Sequence, residues 1–266
     1  MPMLRFAWTA ALVFCVSCAD PLPPQNSEMS GYPVSYSYAS APIMLRPAQP
    51  SAEDLSSYIQ KRVPNWGTRP QSPALLAAAI RTLAMDFDMD ARILTGMMDQ
   101  ESAFDARAVS PTGAVGLTQL TISGINEFLD QSGVVYQHLG NRVYAGSGTE
   151  YFQEAIRKHW ISFPVGKELT DFTARTEWAR SVKQRVFAQP DQYGAQIIAG
   201  ATILKAAIAY ACSKNARCTP ETIGQAEWIR AGLERYNGDN TPRADGEPTK
   251  VHYARQIMRA VERMNF

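Results

Sequence analysis

Glu101 is the residue whose setting best suits proton chemistry. On an α-helix it lies four residues after Met97, three after Met98 and seven after Leu94, so its carboxyl shares the face of an apolar stripe. A carboxyl there is partly desolvated, and desolvation disfavours the charged form. Its pKa rises toward the range in which a general acid works at neutral pH. Periodicity alone favours a solvated glutamate at a helix end or one paired with an arginine. Metal chemistry draws no support, because His138, His159 and His252 show no ligand spacing with one another or with the cysteines. No cofactor is expected.

The elements that must position Glu101 read mainly as helices. Asp90 caps the helix that carries it, with Ile93, Leu94, Met97 and Met98 on the apolar face. Before it, Ser51-Ala-Glu-Asp54 has the form of a capping box followed by Leu55, Tyr58, Ile59 and Val63 at helical spacing, and Ser72-Pro73 starts a helix with Leu76, Ala79, Ile80 and Leu83. After it, turn formers from Asp105 to Gly116 predict a loop, and the Val, Leu and Leu between Val115 and Thr121 predict a short strand. Later helices are expected after Thr149 and over Ala174 to Ala188, Asp191 to Cys212, Thr219 to Arg235 and Thr249 to Met264. Thr219-Pro220-Glu221 supplies the start signal of the fourth of these. The whole reads as mainly α with one small sheet.

Around Glu101 the residues also follow a pattern. Residues 100 to 120 contain Glu101-Ser102 and then Ser110-Pro-Thr-Gly113-Ala-Val-Gly116-Leu117-Thr118-Gln119. This resembles the signature of the lytic transglycosylase family, the SLT or lysozyme-like domain, which pairs Glu-Ser at a helix end with Ser-x-x-Gly-Ala-x-Gly-Leu-Met-Gln. Thr118 stands where that family usually has Met. Arg235-Tyr236-Asn237-Gly238 is similar to the family's Ala-Tyr-Asn-x-Gly, Val251-His-Tyr253-Ala-Arg-Gln-Ile257 to its last helix, and Ile197-Ile-Ala-Gly200-Ala-Thr-Ile-Leu204 to its Gly-containing helix. The elements occur in the family's order over roughly residues 74 to 264.

The resemblance implies an α+β lysozyme-like fold, mainly helical, with a small antiparallel sheet beside an active-site groove. It implies a peptidoglycan lytic transglycosylase that cleaves the β-1,4 bond between N-acetylmuramic acid (MurNAc) and N-acetylglucosamine (GlcNAc) and forms 1,6-anhydro-MurNAc. By position, Glu101 is the single acid and base, Ser102 and Tyr236 position the reacting sugar, Gln119 and Asn237 bond substrate, and Tyr253 orients Glu101. Taken singly, Ser102 could bond a helix carbonyl, Asn237 could stop a helix beside Gly238, and the tyrosines could be core aromatics. Gly113 and Gly116 are expected to serve backbone geometry. Asp105, four residues after Glu101, is either a turn residue or the second carboxylate of a hydrolase that uses water. A non-catalytic peptidoglycan-binding or assembly module is a further alternative. The family's Met packs by the saccharide, so Thr118 is expected to alter subsite preference.

Composition bounds the rest. Twenty-six basic and twenty-five acidic residues in 266 leave a net charge of +1, with no basic stripe, which argues against a nucleic-acid partner. With 45% hydrophobic residues, most of the chain can build a core. Arg5 precedes an apolar stretch from Phe6 to Val16 and then small residues, the pattern of a signal peptide over 1–19. Cleavage before Asp20 fits, as does lipidation of Cys18, which would make an N-terminal lipid the chain's membrane contact. Either route predicts a periplasmic or secreted protein, anchored to the outer membrane if lipidated. In such an oxidising setting Cys212 and Cys218 are expected to be bridged. Seven prolines from Pro21 to Pro50 read as a tether over 20–50, leaving 51–266 as the catalytic domain. Between Gln119 and Gly200 the chain exceeds the family pattern, so a helical insertion is expected at about 140–190. Its Tyr144, Tyr151, Trp160, Phe163, Phe172 and Trp178 would either wall a glycan groove or fill the insertion's own core.

Overall fold

Helix starts are set locally, by side chains that take up backbone N–H groups left without a partner in the first turn. The computed structural model describes residues 41–46, 48–128 and 172–266. Helix α1 covers Ala52–Arg62, α2 Pro73–Asp86 and α3 Ala91–Ser102. Ser51 Oγ accepts the Asp54 N–H at 3.0 Å while the Asp54 carboxylate accepts the Ser51 N–H at 3.3 Å, closing the capping box. Ser72 accepts from Leu75 N at 3.2 Å, and Asp90 from Arg92 N at 3.0 Å. A helical segment follows at 122–128. Then come α4 (Phe172–Val182) with a π-helical turn at Lys183–Phe187, α5 (Tyr193–Ser213), α6 (Ala226–Asn237) and α7 (Thr249–Arg263).

The fold is mainly helical, and α5 runs through its centre. With Pro190–Gln192 before it, this helix has the length and mean hydropathy (1.5) to cross a membrane, yet 89% of its apolar window is buried inside the protein. A helix apolar on all sides needs neighbours on all sides. Helices α6 and α2 and the π-helical turn pack on α5, and α7 packs on α3 and α6, which brings the ends of α3, α6 and α7 together. Lys205, buried at mid-helix, donates to the Phe87 carbonyl.

Three expectations are revised. The helix read from Thr219 begins at Ala226, because the Thr219 N–H donates to Thr222 Oγ1 at 2.9 Å and closes a turn instead. That turn directly follows Cys218, which is bridged to Cys212 with 5.2 Å between the Cα atoms. The strand-like segment forms isolated antiparallel bridges, Val109 with Val115 and Val115 with Leu120, rather than a continuous ladder among the described residues. The helix expected over Ala174 to Ala188 starts at Phe172 and turns π-helical from Lys183. Most of the expected insertion, including Tyr144, Tyr151, Trp160 and Phe163, lies outside the described residues, while Trp178 packs against the core.

The end of the proline-rich stretch also differs from a free tether. Ile43 is buried and pairs with Met89, donating its N–H to Asp88 O at 2.7 Å and accepting from Asp90 N at 2.8 Å. Gln49 bridges two backbone groups, donating to Met89 O at 2.6 Å and accepting from Ala91 N at 2.9 Å. Arg92, in a buried ion pair with Asp90, donates to Ala48 O. Ile43, Ala48 and Gln49 therefore hold the N-terminal end of α3, the helix that carries Glu101. Composition marks the prolines but not these partners, which lie some forty residues on.

Candidate active site

Glu101 and Ser102 form the last turn of α3, and the chain then reverses through Ala103 (φ 48°) and Phe104 (φ 63°). Left-handed backbone at residues with a Cβ costs roughly 1–2 kcal/mol each. Here it is held by the Ala103 N–H on Asp99 O (3.2 Å), the Phe104 N–H on Met98 O (3.3 Å) and burial of the Phe104 ring. The reversal ends α3 just after Glu101, whose side chain lines the cavity described below.

The loop that follows is pinned by one residue of α5. Gln196 is fully buried, and its Nε2 lies 3.1, 3.0 and 3.1 Å from the carbonyls of Ala106, Phe187 and Gln189, while its Oε1 accepts the Leu117 N–H at 2.8 Å. Gly116 (φ 77°) lies against it: a Cβ there would stand 2.5 Å from Gln196 Cδ. Ser102 Oγ, in turn, lies 3.0 Å from the Leu117 carbonyl and 3.2 Å from that of Met98, tying the end of α3 to the same loop. Thr118 is buried, donates to Gln196 O at 2.9 Å, and occupies the space that a Cβ on Gly200 would need. Its side chain thus serves the α5 contact, not the cavity wall. The expected effect of Thr118 on a saccharide subsite is not supported by this placement.

Helices α6 and α7 supply two tyrosines. Tyr253, buried on α7, donates its hydroxyl to Glu101 Oε1 at 2.6 Å. Tyr236, on the last turn of α6, stacks on Tyr253 with ring centres 6.4 Å apart and donates to the Thr118 carbonyl at 2.9 Å. Burial pushes the Glu101 carboxyl up to about 7, and the hydrogen bond from Tyr253, which favours the charged form, pulls it partly back. Glu101 keeps some surface open to the cavity, yet protein surrounds it on its other sides. The result is a carboxyl that can both give and take a proton near neutral pH.

Glu101 lines a cavity of about 440 Å³, the size of a small-molecule site. Gln119, Tyr236 and Asn237 line it too; Ser102 and Tyr253 are not among the lining residues. Gln119 (φ 47°) donates to Gly116 O at 2.9 Å, and Asn237 accepts the Asp239 N–H at 3.2 Å, so both also shape their own loops. Gly113 and Gly116 have positive φ, and Gly238, left-handed, ends α6. Asp105 does not line the cavity. Its carboxylate accepts from Arg107 N at 2.9 Å and Arg107 Nε at 3.3 Å, a turn closed within three residues. Sequence reasoning missed Gln196, for which a lone amide in an apolar helix was the available signal. It also missed Glu127 and Arg235, which line the cavity. Among the described residues no group of His, Cys, Asp and Glu is placed to hold a metal ion.

Residues 78–157 match the family model described as the transglycosylase SLT domain. That stretch, which includes the end of α3 and the loop after it, is similar to the transglycosylase SLT domain. The matched stretch contains Glu101, Ser102 and Gln119, whereas Tyr236, Asn237 and Tyr253 come from beyond it and reach the site through the fold. An SLT domain implies peptidoglycan as the substrate and an action of the lytic transglycosylase type. No curated protein and no solved structure matches the chain.

Proposed function

We propose that this protein cleaves the β-1,4 bond between MurNAc and GlcNAc without water, with Glu101 as its single acid and base. The protonated carboxyl gives its proton to the glycosidic oxygen, the C1–O bond breaks, and GlcNAc leaves with a free hydroxyl. The resulting carboxylate takes the proton of the muramyl 6-hydroxyl as O6 bonds to C1, which closes the 1,6-anhydro ring and restores the acid. Atoms balance with no water consumed. One observation carries this reading: a carboxyl raised to about 7, bonded by Tyr253 and open to the cavity. A proton donor must hold its proton at working pH, and its conjugate base must be strong enough to recover one. Asp105, which a water mechanism would enlist, is engaged with Arg107 and does not line the cavity. Tyr253 holds one carboxyl oxygen, leaving the other for the substrate. Export through residues 1–19, with Cys18 as a lipid anchor, belongs to the same reading and places the protein in the compartment of its substrate. Labelling with a fatty-acid analogue, lost in Cys18→Ser, tests the anchor.

Mass spectrometry of products released from sacculi tests the chemistry. Muropeptides one water lighter than their reducing counterparts are expected, and none from a Glu101→Gln protein. Reducing-end products would replace this reading with hydrolysis, and sacculus binding without product would replace it with a wall-binding module.

A further inference from the structure

Leu117, Thr118 and Gln119 join the elements that surround Glu101. The Leu117 carbonyl lies 3.0 Å from Oγ of Ser102, the residue after Glu101. The Thr118 carbonyl accepts the Tyr236 hydroxyl at 2.9 Å, and Tyr236 stacks on Tyr253, whose hydroxyl holds the Glu101 carboxyl. Gln119 lines the cavity itself. Two routes therefore lead from this segment to the carboxyl, one along α3 and one through α6 and α7. A shift of the segment moves Gln119 against Glu101 and disturbs both routes.

The segment does not hold its own position. It lies between the isolated bridge partners Val115 and Leu120, outside any ladder, so its backbone groups depend on side chains from elsewhere. The Leu117 N–H donates to Gln196 Oε1 at 2.8 Å, and the Thr118 hydroxyl donates to the Gln196 carbonyl at 2.9 Å. On its other side the same amide faces the carbonyls of Phe187, Ala106 and Gln189 at 3.0, 3.1 and 3.1 Å. Its two N–H groups serve three acceptors, and only this orientation of the amide gives the Leu117 N–H an acceptor and the carbonyls donors. The loop meets the amide as closely as a backbone allows, since a Cβ on Gly116 would stand 2.5 Å from Gln196 Cδ. Gln196 is fully buried and does not line the cavity, so it acts on a bound sugar only through the residues it holds.

We propose that Gln196 is a positioning residue for the reaction: its amide sets where segment 117–119 stands relative to α5, and thereby where Gln119 and Tyr236 place the sugar relative to Glu101. The inference rests on the reading of Glu101 as the acid and base. An amide that only stabilised the fold would leave turnover by the folded molecules unchanged. A positioning amide sets turnover itself, because a misplacement of about 1 Å costs about a hundredfold in rate.

Gln196→Asn is the direct test. It keeps the amide but shortens its reach by one carbon–carbon bond, roughly 1.5 Å, so the loop must follow or lose its partners. With the folded fraction measured by near-ultraviolet circular dichroism, kcat on purified glycan strands is expected to fall about a hundredfold, with KM changed far less. Gln196→Glu keeps the length and serves as the second variant. Protonated, its carboxyl still accepts the Leu117 N–H and donates to one carbonyl; ionised, it sets a negative charge against three carbonyl oxygens. Its kcat relative to wild type is expected within about tenfold at pH 5, the scale of one lost hydrogen bond, and to fall further as pH rises while the protein stays folded. A wild-type kcat in folded Gln196→Asn, a Gln196→Glu ratio independent of pH, or a loss of kcat that only tracks the loss of folded protein overturns the assignment. If the wild type releases no product, the activity reading fails on its own, and titration of Glu101 followed by carbon-13 NMR decides the position. A loosened site readmits water, so Glu101 in Gln196→Asn must titrate below its wild-type value, and coincident titrations refute the proposal.

Discussion

Replacing Glu101 by Gln is expected to stabilise the fold, and to do so more as pH rises. The folded carboxyl titrates near 7 against 4.5 when freely solvated. Between those values the folded chain keeps a proton that the unfolded chain has released, so stability falls as pH rises through this window and stays low above it. Taking both values, the cost of ionising Glu101 in the folded state is under about 1 kcal/mol at pH 5 and about 3 kcal/mol at pH 8. Glutamine has the same shape, can still accept from the Tyr253 hydroxyl through its carbonyl, and has no charge to desolvate. The two proteins should therefore unfold at similar temperatures at pH 5 and separate by roughly 5 to 10 °C at pH 8. Other titrating groups are common to both proteins and cancel in the difference. Calorimetry or urea unfolding in a series of buffers from pH 4.5 to 8.5 reads the effect directly. Parallel stability profiles, with a gap independent of pH, would refute the claim that burial raises this carboxyl and with it the basis for a neutral-pH acid.

Tyr253→Phe removes the group that pulls the Glu101 carboxyl down, so the fall of kcat/KM on the alkaline side should move above pH 7, with the maximum reduced about tenfold or more; a downward move would contradict the assigned hydrogen bond. A chain starting at residue 51 should be less stable than one starting at 41 by about 3 kcal/mol, because it loses the buried Ile43 and the Gln49 contacts at the start of α3. Equal urea midpoints and slopes for the two would return residues 41–50 to the tether. Substituting both Cys212 and Cys218 by Ala should cost about 2 kcal/mol in the chain-entropy account, since the bridged residues are only 6 apart. Unfolding with and without reductant checks this, and a wild type indifferent to reductant would argue against the bridge.

What could be read from the chain alone was whatever depends on near neighbours. Ser51, Ser72 and Asp90 cap helices because their acceptors lie within three residues of the N–H groups they satisfy. Glu101 stood out because Leu94, Met97 and Met98 precede it at helical spacing, and an ordered set of short motifs marked its companions. Where another partner, near or far, competes, local reading gave way. Thr219 has the makings of a helix start, but its N–H closes a turn on Thr222 beside the bridged Cys218. The prolines before residue 50 suggest a tether, yet Ile43 finds a buried place against Met89.

The raised carboxyl itself is a product of tertiary structure. A stripe on α3 predicts that Glu101 meets apolar surroundings, but how far its pKa moves depends on the enclosure made by the other helices and on Tyr253, 152 residues away. Gln196 holds the Ala106 to Leu117 loop from 79 to 90 residues away, and it is Gly200 on the same helix that turns Thr118 inward. Arg235 and Glu127 become one wall only when α6 and the 122–128 segment meet at the cavity. Residue types and local spacing determined which group could exchange a proton. Desolvation, shared hydrogen bonds and opposing charges depend on distances through space, and only the packed helices decided those.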